Sequence, residues 1–84
     1  EWKQRKQRDN EIQRHRRTIA QLERDIANGE AKQKEMEAQL ANPGNMENIE
    51  TLLQEYNGLK AQVARLMKQW EEQSYELEVL ERDV

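Results

Sequence analysis

The chain has 84 residues, 37% of them charged and 35% hydrophobic, with 3 Gly, 1 Pro, no Cys and no Phe. So little apolar material cannot wall off an enzyme pocket or build a thick globular core, and without cysteine there is no disulfide framework or thiolate zinc site. No apolar run approaches the roughly 20 residues of a membrane span, and no signal peptide is visible. Ala, Glu, Lys, Leu, Arg and Gln dominate, which favours long solvated helices with one narrow apolar seam. The first residue is Glu1 rather than Met, so the chain reads as a piece of a larger, cytosolic protein.

The net charge of −3 hides an asymmetry. Residues 1–17 hold Lys3, Arg5, Lys6, Arg8, Arg14, Arg16 and Arg17 against three acids, a net of +4. Residues 18–84 carry −7, and 71–84 alone carry −5.

A seven-residue repeat organises the first half. With Ile12 at a, the a positions run Ile12, Ile19, Ile26, Gln33 and Leu40, and the d positions His15, Leu22, Gly29 and Met36. Spacing of this kind marks a coiled-coil seam rather than a general amphipathic helix. Continued backwards, the repeat would place Arg5 and Arg8 at a and d, so the core should end near Ile12, leaving 1–11 as a basic helical extension or linker. Asn42-Pro43-Gly44-Asn45 then breaks the pattern. Pro43 has no N–H and biases its predecessor away from helix, so the first helix should stop near Ala41 and the turn should occupy 42–45.

A second helix is expected from about residue 46, with Asn45 as its cap and Glu47 in its first turn. Its a positions are Ile49, Tyr56, Val63, Trp70, Leu77 and Val84; its d positions are Leu52, Leu59, Leu66, Gln73 and Leu80. Two seamed helices joined by so short a loop should fold back as an antiparallel two-helix coiled-coil hairpin, an all-α fold spanning 12–84. A turn centred between Gly44 and Asn45 pairs Leu40 with Ile49, Ile26 with Val63, Ile19 with Trp70, and Ile12 with Leu77. The seam from Ile12 to Leu40 is then roughly 40 Å long.

His15 and Gln73 fall in one polar layer, which sets register; a lone His lacks the partners for a metal site. Gly29 at d, with Gly58 at nearly the same height, should leave a gap, making 28–33 and 56–60 the softest level. A helix break at Asn28-Gly29 is the rival, against which the unbroken heptad phase argues. Trp70 at an a position reads as core, whereas Trp2 lies off the seam among Lys3, Arg5 and Lys6 and is placed to stack on a base or to be disordered. Glu1–Arg5, Glu30–Lys34 and Glu78–Arg82 have the order that supports solvated helices.

No glycine-rich phosphate loop, HExxH, Ser/His/Asp set or metal-ligand spacing occurs, so no catalytic residue, metal or cofactor is expected. The basic segment has two readings. Lys3, Lys6, Arg14 and Arg17 at outward b, c and f positions suit phosphate contacts, with Arg5, Arg8 and Arg16 as second choices. Alternatively, 1–17 and 71–84 neutralise one another across the stem.

The second half also carries a recognisable pattern. It reads Leu40-Ala41-Asn42-Pro43, Tyr56-Asn57-Gly58-Leu59, Leu66-Met67-Lys68-Gln69-Trp70-Glu71-Glu72, then Glu76-Leu77-Glu78. This resembles the C-terminal coiled-coil domain of ABC-F ATPases of the Uup-like group, with its basic lead-in, LA-(D/N)-P turn and WEE-type ending. Gln69 and Gln73 depart from it, standing where Arg and Leu are common. The resemblance implies a parent with two ATP-binding cassettes and no membrane domain, associated with the ribosome and translation or with DNA. It implies that the hairpin contacts nucleic acid, ribosomal RNA or DNA, while ATP binds only to the parent's cassettes. The competing role is a protein-interaction or spacer module that docks on those cassettes or self-associates, as a monomer or weak homodimer. An arm of an unrelated long coiled coil is a third possibility.

Overall fold

The computed structural model describes residues 1–42, 44 and 48–82. Helix α1 spans Trp2–Ala41 and helix α2 spans Ile49–Arg82. They lie side by side in a rod of 65 × 15 × 14 Å. His15 meets Gln73 near one end and Glu37 meets Tyr56 near the other, so the helices run antiparallel. The expected all-α hairpin is therefore the fold.

Helix α1 ends where Pro43 was expected to stop it. Asn42 N–H closes back on the Gln39 carbonyl at 3.3 Å, and Gly44 N–H on that of Asn42 at 2.8 Å. Helix α2 is described from Ile49, and its expected start near residue 46 falls outside the described residues. The proposed cap Asn45, the first-turn Glu47 and the last a position Val84 lie outside the described residues.

Heptad spacing identified the covered face well. Every described a and d residue is at least partly covered, with Trp70 the exception. Burial is nonetheless thin: Ile12, Leu22, Met36 and Val63 are the buried hydrophobics among the described residues. A two-helix stem covers each helix on one side only, so most seam residues keep one flank in water. Trp70, expected in the core, is 36% exposed. Its indole is too wide for a narrow seam and lies at the edge, along a groove with Ile26 and Ala27. Trp2 is 72% exposed, with Lys6 Nζ 5.3 Å above its ring.

The centre differs from expectation in register. A Cβ built on Gly29 would lie 2.6 Å from Val63 Cγ2. Val63 thus packs on Gly29, nearer the tip than Ile26, its expected partner. A d position of α1 meets an a position of α2. The gap expected at Gly29 is filled by Val63, the most covered of the buried residues at 5% exposure. Helix α1 passes through Asn28-Gly29 unbroken. Gly58 faces open space instead.

Candidate nucleic-acid interface

The seven candidate cations of the basic segment all lie on α1, which is continuous from Trp2. Lys3, Arg5, Lys6, Arg8, Arg14, Arg16 and Arg17 are exposed, and burial begins at Ile12. Lys3 and Arg17 hold f positions, Lys6 b and Arg14 c, which groups them on the face turned away from α2. Asn10 at f and Gln21 at c fill the intervals without negative charge. The neighbouring acids Asp9, Glu11, Glu23 and Asp25 fall at e and g, towards the flanks.

Counting charge over 1–17 missed one member of this face. Arg24 occupies the next f position, and its Nη2 donates to Gln21 Oε1 at 2.7 Å, a neutral partner that leaves its charge uncompensated. Repeating the f position beyond the basic segment would have found it. From Lys3 to Arg24 the acid-free stripe is about 32 Å long at 1.5 Å per residue.

The other cations differ among themselves. Arg16, at an e position, reaches across to Glu81, with Nη2 3.6 Å from Oε2. Arg8 is already engaged in an interaction. Among the described residues Lys3, Arg5, Lys6, Arg14 and Arg17 make no ion pair. Neutralisation across the stem thus reaches Arg16 and stops short of the f-face stripe.

Polar groups of the seam are satisfied locally. His15 Nδ1–H donates to Gln73 Oε1 at 2.7 Å, with a Glu76 carboxylate oxygen 3.8 Å away. Tyr56 O–H donates to Glu37 Oε1 at 2.9 Å. That bond holds the phenolic proton and, with slight desolvation and the carboxylate's charge, raises the Tyr56 pKa above its ordinary 10.0. Arg82 pairs with Glu78 at 2.7 Å, as the sequence order suggested. Among the described residues no group of three or more His, Asp or Glu side chains is arranged to hold a metal ion. No described helix is long and apolar enough to cross a membrane.

No curated protein and no solved structure matches the chain. A family model does: residues 12–74 match the ABC transporter C-terminal domain, a stretch that starts where burial starts and takes in most of each helix. The chain therefore belongs to the ABC transporter C-terminal domain family.

Proposed function

We propose that this hairpin is a non-catalytic arm of a cytoplasmic ABC-F ATPase of the Uup-like kind, contacting ribosomal RNA or DNA through the back of α1. The supporting observation is the stripe of Lys3, Lys6, Arg14 and Arg17. It is exposed, lacks ion partners among the described residues and is free of acids. Cations on a rigid helix bind phosphates by displacing condensed counterions, so affinity comes from electrostatics rather than base reading. Residues 1–11 act as a helical extension carrying part of that stripe beyond the paired stem. Arg5 adds to it, Arg8 and Arg16 are subordinate, and Trp2 is placed to stack on an unpaired base. ATP belongs to the parent's cassettes.

A second reading, a spacer or docking module for those cassettes, draws support from the Arg16–Glu81 pair, in which one basic side chain turns to the stem. Binding of the 84-residue chain to ribosomal RNA, duplex DNA and branched DNA, at low and near-physiological salt, separates the two. The arm predicts binding that falls steeply with salt and differs among the three. No binding even at low salt favours the spacer.

A further inference from the structure

The two open sides of the stem are unlike. On one side g positions meet: Thr18, Asp25 and Lys32 of α1 beside Glu55, Gln62 and Gln69 of α2, polar residues flanking a groove whose apolar lining, Leu59, Val63 and Leu66, is largely covered. On the other side e positions meet, marked by the Arg16–Glu81 contact. There Met67 is 40% exposed and Trp70 36%. With Ile26 and Ala27 they line an open groove of about 410 Å³. Ile19 and Leu77 line a second groove of about 430 Å³ on the same side. Ile19 and Ile26 are one heptad apart, so the apolar rungs recur about every 10.5 Å, the repeat of a coiled-coil helix.

Charge identifies the occupant. Glu23, Glu30 and Glu71 rim the Trp70 groove. None of the three has an ion-pair partner among the described residues. By contrast, Glu78 and Glu81 at the neighbouring groove are already paired with Arg82 and Arg16. Three unpaired carboxylates repel a polyanion, so nucleic acid does not sit here. A two-fold contact between copies through this groove brings the same patch against itself and sets these acids against one another.

We infer that the groove of Ile26, Met67 and Trp70 docks a basic amphipathic helix of a partner protein. The partner's heptad-spaced apolar residues enter the rungs, and its flanking Lys or Arg side chains meet Glu23, Glu30 and Glu71. The result is a three-helix stem with the basic face of α1 still open, so the inference stands apart from the nucleic-acid reading.

The test uses the 84-residue chain with Trp2→Phe, leaving Trp70 as its sole indole. The probe is a synthetic peptide of about three heptads with Leu at a and d and Lys at e and g, whose like charges keep it from pairing with itself. A second peptide carries Glu at e and g. Docking predicts a blue shift of Trp70 emission with the Lys peptide and none with the Glu peptide. Glu30→Lys with Glu71→Lys, and separately Met67→Lys, each weaken binding about tenfold or more. Circular dichroism checks that these exposed-site variants stay helical. Unchanged emission, equal binding of both peptides, or full affinity in a folded charge-reversed variant overturns the inference. So does a chain that dimerises alone in sedimentation with Trp70 blue-shifted, which assigns the groove to a second copy.

Discussion

The middle and the base of this stem fill the same narrow seam by opposite means. In the middle, Gly29 has no side chain, and Val63 closes onto the backbone of α1. At the base, His15 and Gln73 meet through one 2.7 Å hydrogen bond, part-buried and within reach of Glu76. The first contact is pure shape: its strength is apolar area and close fit, and any added atom collides. The second gains little net energy, because water offers the same groups comparable bonds, but it penalises any slip that separates them. A two-helix stem with so little burial therefore takes its stability from the middle and its register from the polar layer. Both contacts need the antiparallel arrangement, but Val63 sits on Gly29 instead of its expected partner Ile26, while His15 and Gln73 meet as expected.

The largest expected effect is at the shape-filled level. Val63→Ala removes the most covered side chain and leaves Gly29 facing a void, a loss of about 2 kcal/mol read from thermal or denaturant unfolding. Glycine substitutions sharpen the point because the two central glycines should respond with opposite signs. Gly29→Ala places a methyl 2.6 Å from a branched, stiff Val63 side chain, and the clash outweighs the helix-propensity gain, for a net loss of about 1 kcal/mol. Combining it with Val63→Ala should recover part of that loss. Gly58→Ala meets only open space and should stabilise by about 0.5–1 kcal/mol. Equal responses at the two glycines would break the comparison.

At the base, a double-mutant cycle of His15→Ala and Gln73→Ala should give a coupling of about 0.5–1 kcal/mol. A coupling near zero would mean the layer sets no register. The smallest effect lies towards the tip, where the Tyr56–Glu37 bond is exposed. Folding raises the Tyr56 pKa, so the folded state holds this proton more tightly than the unfolded chain does. Its contribution is therefore fully present below pH 10.0 and is lost as pH rises through the folded value. In a Tyr75→Phe background, absorbance titration should show tyrosinate forming at lower pH in Glu37→Gln than with Glu37 intact.

The parts of this molecule that depend on local spacing were readable from the chain. Heptad phase alone picked out Ile12, Leu22, Met36 and Val63 as seam residues, and Pro43 marked the end of α1 at Ala41. Quantities set between helices were not. The pairing of Val63 with Gly29 rather than Ile26 depends on which side chain fits against which backbone. Trp70 was misplaced because heptad position reports direction, not whether a two-helix seam is wide enough for an indole. On the basic face, Lys3, Lys6, Arg14 and Arg17 were visible by outward position. The separation of Arg16, which reaches Glu81, required the second helix in place. Arg24 was overlooked because composition was read in a block rather than along a face.

The cations divide into Arg16, which reaches Glu81, and an outward stripe, and the salt dependence of nucleic-acid binding distinguishes the two. The logarithm of affinity is measured against the logarithm of salt for the unaltered chain. The same is done for Lys3, Lys6, Arg14 and Arg17 all changed to Gln, and for Arg16→Gln alone. The fourfold change should flatten the slope on duplex DNA by about 3–4, while Arg16→Gln should leave it nearly unchanged. A slope that Arg16→Gln alters as much as the fourfold change does, or that the fourfold change leaves intact, would contradict this division.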